Sequence, residues 1–212
     1  MSARPVESGP RLSAEAPNLE ILQNYLKMVV LPVTVHIFQG EETVPTRLKG
    51  EAARGALTYC QLVRRAAGGE EVVLDADAVK ELACPSPELA LGFREPKYVD
   101  VQPRIGGGTR EVILGQGGED LGDPDVILLI LNPAQTTDLA LLLGGIEANF
   151  AGQMAVCGEA TAKVYRDGRA NVSFLCHGCR ELAGYGPDEV VVGITAAEAR
   201  GAIAKIEGGR KR

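Results

Sequence analysis

The sequence predicts an α/β or α+β fold, a single domain with a mixed β-sheet and packed helices. Segments with strand-like patterning interleave along the chain with segments at helical spacing. Over 212 residues the composition is 45% hydrophobic and 24% charged, which is ordinary for a folded domain. Aromatic residues make up only 4% and Trp is absent, so the core must be built from Leu, Val, Ile and Ala.

Residues 1–17 read as a polar, Pro-rich tail, 18–207 as one globular domain and 208–212 as a basic tail. Asn18 is placed to cap a helix carrying Leu19, Leu22, Tyr25, Leu26 and Val29. Residues 31–38 alternate and are β-branched, which predicts a strand with Pro32 near its start. After a polar loop at 39–50, a helix is expected over 52–67, stopped by Gly68-Gly69. A short strand at 71–74 and a helical turn at 75–82 follow, then the punctuated turn Cys84-Pro85-Ser86-Pro87.

Residues 94–124 are rich in Gly and Pro and read as a lid or rim loop, with a short strand at 111–114. Residues 125–131 predict a buried strand. Pro133 then opens a helix that ends near Gly144-Gly145 or Asn149. Another helix is expected over 154–165, and a strand over 171–175 runs into Cys176-His177-Gly178-Cys179. A strand at 189–194 and a helix at 196–206 close the domain.

Charge and motif content remove several function classes. A net charge of −6 repels phosphate backbones, and few rings are present to stack on bases, so nucleic acid is not an expected partner. No apolar run approaches the roughly 18 residues of a membrane span. Residues 1–17 contain no apolar secretory core, which points to a reducing cytoplasm. The glycines at 106–108 and 115–118 fit no phosphate-loop or dinucleotide motif and read as turns. There is no G-x-S-x-G, and the only histidines are His36 and His177, which disfavours a hydrolase triad.

The cysteines carry the chemistry. Cys60 lies on the expected 52–67 helix, Cys84 precedes Pro85, Cys157 precedes Gly158, and Cys176 and Cys179 form a C-x-x-C. A C-x-x-C places two sulfurs on one side of a tight turn, where both reach one metal or cluster. Further ligands must then come from elsewhere in the chain, with Cys84 and Cys157 the natural additions and Cys60 and His177 in reserve. The alternative use of the motif is a dithiol–disulfide couple. A thioredoxin-like fold is not expected, because Gly184 leaves room for at most one helical turn after Cys179. Polar residues at strand ends, namely Asn132, Gln135, Asn149, Arg180 and Tyr185, are candidates to line a pocket with the cysteines. Asn132, Gln135 and Arg180 are the cofactor-binding candidates among them.

The order of several short pieces resembles an uncharacterised prokaryotic family, domain of unknown function 169, frequent in archaea and anaerobic bacteria. Those pieces are Leu31-Pro32-Val33-Thr34-Val35, Cys60 to Ala66, Cys84-Pro85 with Ala90-Leu91-Gly92-Phe93, Pro124-Asp125-Val126 with Asn132-Pro133, and Ala155-Val156-Cys157. They continue with Leu175-Cys176-His177-Gly178, Gly184, Asp188-Glu189 and Gly193-Ile194, and span roughly residues 20–206. The resemblance implies one family domain and no particular activity. It implies that Cys60, Cys84, Cys157 and Cys176 belong to the family pattern. Cys179 stands where an acidic residue is expected, and His177 where Asn is expected.

The functional expectation is a cytoplasmic iron–sulfur or other metal protein with a redox or electron-transfer role. Its ligands are drawn from Cys60, Cys84, Cys157, Cys176 and Cys179. A four-iron–four-sulfur (4Fe-4S) cluster is the first choice and zinc the second. The partner would be a redox protein or a small molecule, with homo-oligomerisation left open. A small-molecule sensor with structural cysteines, and a thiol enzyme using Cys176 as nucleophile, are the alternative readings.

Overall fold

The computed structural model describes residues 16–42, 55–95, 104–117, 121–148 and 155–209. All six residues of the strand Val126–Leu131 are buried, so both faces of the sheet at that point are covered. The described chain runs α1 (Leu19–Leu26), β1 (Val33–Gln39), α2 (Tyr59–Ala67), β2 (Val72–Asp75), α3 (Ala78–Glu81) and α4 (Ser86–Ala90). It continues through β3 (Thr109–Gly115), β4 (Val126–Leu131), α5 (Pro133–Leu143), a π-helical segment (Val156–Ala162) and α6 (Lys163–Asp167). It closes with β5 (Asn171–Ser173), α7 (His177–Ala183), β6 (Val190–Ile194) and α8 (Ala196–Gly209).

The strands form one six-stranded sheet in the order β2-β3-β1-β4-β6-β5. Every ladder between these strands is antiparallel. The parallel component of the expected mixed sheet is an isolated bridge between Glu147 and Asn171. The fold is therefore a single mixed domain of helices and one sheet, on the α+β side of the expectation.

Alternation along β4 divides the core in two. Val126, Leu128 and Ile130 join a large cluster with residues of β1, α2, α4, the π-helical segment and α7. Ile127, Leu129 and Leu131 point the other way, into a second cluster under α1, α5 and α8. Phe38, Val73, Ile113 and Leu121 cover the remainder of that second face. The arrangement is three layers, helices–sheet–helices, with an aliphatic interior as the composition requires.

Most element boundaries follow the local chemistry. Asn18 caps α1 through Glu20 N–H at 3.2 Å, and Gly144 closes α5 in the left-handed conformation. Three segments differ from the sequence reading. Inside the stretch read as a lid or rim loop, the strand expected at 111–114 is present and extends over 109–115 as β3, lying not at a rim but in the sheet interior between β2 and β1; its flanks at 96–103 and 118–120 lie outside the described residues. The predicted helix over 154–165 is π-helical over most of its length. The C-x-x-C opens α7, a helix of seven residues, where at most one turn was expected. The tails 1–15 and 210–212, Asn149, and the beginning of the expected 52–67 helix also lie outside the described residues.

Candidate cysteine centre

Four separate elements deliver sulfur to one place. Cys60 sits in the first turn of α2, which Thr58 and Gln61 open with a reciprocal capping box. The Tyr185 hydroxyl donates to the Cys60 carbonyl at 3.2 Å, and the Arg64 guanidinium lies 4.7 Å over the Tyr185 ring. Arg64 also pairs with Glu189 at 2.9 Å, so α2 is fixed to the loop that follows α7. Cys84 lies in the turn before Pro85, and Ala83 N–H donates to the Leu57 carbonyl at 2.9 Å. That bond ties the turn to the approach of α2.

Cys157 occupies the π-helical segment, where the Thr161 hydroxyl reaches back to the Val156 carbonyl at 3.0 Å. The widened turn fits over β6 because residue 193 is glycine. A Cβ there would lie 1.8 Å from the Ala160 carbonyl oxygen. Cys157 is 3% exposed, and burial pushes its thiol well above the ordinary value, with the Cys84 and Cys176 thiols adding to the effect.

The C-x-x-C is aimed by an unusual residue. Leu175 holds a left-handed backbone (φ 66°) between β5 and α7, with its N–H donated to Ser173 Oγ at 3.3 Å. Its side chain is buried in the core, and that packing offsets the local backbone cost. The turn leaves Cys176 at the N-cap of α7, half-buried, and Cys179 one turn later on the same side, buried.

All five cysteines line a single cavity of about 320 Å³, together with Tyr59, Pro85, Pro87, Ala155 and Leu182 among others. No charged side chain is among its lining residues. Cys60 and Cys179 are joined as a disulfide, with Cα atoms 5.6 Å apart, where the sequence reading expects all five as metal ligands, or a dithiol–disulfide couple between Cys176 and Cys179. Cys176 Sγ lies 3.0 Å from Cys179 Sγ, and Cys84, Cys157 and Cys176 are thiols. In this disulfide-bonded form, no group of three His, Cys, Asp or Glu side chains among the described residues is arranged to hold a metal ion.

The other candidates lie elsewhere. Asn132 and Gln135 form the capping box of α5, and the Gln135 amide also donates to the Leu26 carbonyl at 2.9 Å. Arg180 ties together the segments on either side of α7, donating to the carbonyls of Phe174 before it at 3.0 Å and of Gly186 and Glu189 after it, the last at 3.1 Å. None of the three is among the residues lining the cysteine cavity. The physical reason is that their side-chain donors and acceptors already serve backbone groups. His177 is also outside the lining; it is 85% exposed and pairs with Glu181 at 3.0 Å. Tyr59, on the cavity wall with its hydroxyl 3.3 Å from Thr161 Oγ1, carries no signal in the sequence that would single it out.

The profile of domain of unknown function 169, described as an uncharacterised ArCR, matches residues 97–205, just over half of the chain. The chain belongs to this family. Domain 169 in this protein thus contains Cys157, Cys176 and Cys179 within the matched stretch, whereas Cys60 and Cys84 precede it. An uncharacterised protein of Methanocaldococcus jannaschii is 28% identical over 116 residues, covering 52% of this chain and 50% of that relative. The chain therefore spans about half the length of the curated relative it matches. No solved structure matches. Among the described residues no helix is long and apolar enough to cross a membrane.

Proposed function

We propose that this protein is a thiolate-centred metal protein of the cytoplasm with a redox or electron-transfer role. An iron–sulfur cluster of the 4Fe-4S type is the preferred occupant and zinc the alternative. One observation carries the reading: five cysteines from α2, the turn before α4, the π-helical segment and α7 share the wall of one cavity. Cysteine packed merely as a small hydrophobe gives no reason for all five to meet. The neutral, largely apolar remainder of the wall suits a cluster whose potential is set by burial and by hydrogen bonds to sulfur.

Loading requires the reduced chain, because Cys60 and Cys179 cannot ligate while bonded to each other. Metal binding would also draw the proton from buried Cys157, offsetting the burial that disfavours its thiolate. A redox protein or small molecule would meet the centre on the side of Pro85 and Leu182, exposed residues of the wall.

The test is metal and sulfide analysis with visible spectroscopy on protein reduced and reconstituted without oxygen. A brown protein with a broad band near ~400 nm and about four irons per chain is expected. Stoichiometric zinc in colourless protein supports the alternative occupant. Cys84→Ala and Cys157→Ala each abolish loading on this reading. If the cysteines only pack, each change costs about 1 kcal/mol of stability and no metal is lost, because none was bound.

A further inference from the structure

Three sulfurs of the cavity stand in sequence: half-buried Cys176, then buried Cys179 at 3.0 Å, then Cys60 bonded to Cys179. The geometry points to a thiol–disulfide exchange relay in which Cys176 is the entry thiol and the Cys60–Cys179 disulfide the interior store. It takes electrons from a dithiol reductant. The proposal deepens the thiolate-centre reading by supplying its regulation, since the relay decides whether two of the five sulfurs can bind metal.

The relay follows from placement. Cys60 is 4% exposed and Cys179 5%, so an outside thiol has poor access to either sulfur of the disulfide. Cys176 is the more open member of the trio and already touches the central sulfur. The C-x-x-C at the start of α7 lets Cys176 and Cys179 face one another across one turn, so the pair can itself close. A buried disulfide with a third, accessible thiol in contact is the arrangement that exchange requires.

The step balances without an outside oxidant. The Cys176 thiolate attacks Cys179 Sγ; the Cys176–Cys179 bond forms as the Cys60–Cys179 bond breaks, and the electron pair leaves on Cys60 sulfur, which takes up a proton. An incoming dithiol then attacks Cys176 Sγ, gives a mixed disulfide, and closes on itself to a cyclic disulfide. Its two electrons and two protons remain on Cys176 and Cys179 as thiols. All five cysteines are then reduced and the cavity is competent to load.

The experiment is reduction of the air-oxidised full chain by dithiothreitol under native conditions, with acid quenching, alkylation by excess iodoacetamide in urea so that buried thiols are reached, and peptide mass mapping. Before reductant, mapping is expected to find both Cys60–Cys179 and Cys176–Cys179 pairs, with Cys60 alkylated in the second population. Cys176→Ser is expected to slow native reduction at least about tenfold, while in urea both proteins are reduced at the same rate. Native reduction of Cys176→Ser at the wild-type rate overturns the relay, as does a wild type in which Cys60 is never trapped free before reductant. Because the second readout uses the unaltered chain, a misfolded variant does not rescue the proposal. Metal loading of the pre-reduced wild type is scored separately. A relay that fails beside normal loading leaves the thiolate centre standing, and a working relay beside absent loading removes only the metal.

Discussion

At the scale of single residues, Gly193 shows how a site can depend on an atom that is missing. The Ala160 carbonyl occupies the space a side chain would need, so β6 and the segment bearing Cys157 approach closely only at glycine. Gly193→Ala should lower the unfolding free energy by about 1–3 kcal/mol in a urea titration, as overpacking does, with metal loading impaired alongside. Asp167 makes a second case. The hydrogen bond from Arg166, foremost, and that from Lys163 outweigh burial and hold its carboxyl below the usual range. A depressed carboxylate contributes stability above its unfolded-state value and loses it as the pH falls through the folded-state value. Stability should therefore fall on the acid side, and Asp167→Asn should flatten that fall in melts recorded between neutral pH and about pH 3. The importance of Gly193 is not written in its neighbours along the chain, because the clash partner lies 33 positions away at Ala160. Cys84, Cys157 and Cys176 were legible, since a thiol beside Gly, Pro or a second thiol is conspicuous at sequence level.

Helices and strands were legible where local rules govern them. The cap at Asn18, the proline that opens α5, the glycine stop at 144 and the alternation of β1 are short-range features. The π-helical turn was not, because its extra residue per turn is stabilised by packing against β5 and β6 rather than by any composition signal. The length of α7 was underestimated for a similar reason: anchoring through Arg180 and Arg64 sustains a helix that Gly178 would weaken alone. Asn132 and Gln135 were read as ligand-facing because they follow a strand, yet they build a helix start. Gln135→Ala should cost about 1 kcal/mol in denaturant unfolding, through loss of the cap and of the tie to α1, and leave metal loading unchanged. Lost loading at unchanged stability would instead return Gln135 to a binding role.

Across the whole molecule, the interleaving of strands and helices was enough to predict a single layered domain, whereas strand order was not. Antiparallel pairing between β1 and both β3 and β4 depends on contacts spanning roughly 70 to 95 positions, which local patterning does not encode. The meeting of the cysteines is a product of that same long-range order. Its consequence concerns how the family domain is handled at the bench. The profile match begins at residue 97, after β1, β2 and α2. A recombinant fragment cut to 97–205 would keep β3 and β4 but lack the strand that zips them together, and would retain only Cys157, Cys176 and Cys179. Clone design that trusts the boundaries of the profile match would thus discard both the middle of the sheet and two of the five cysteines.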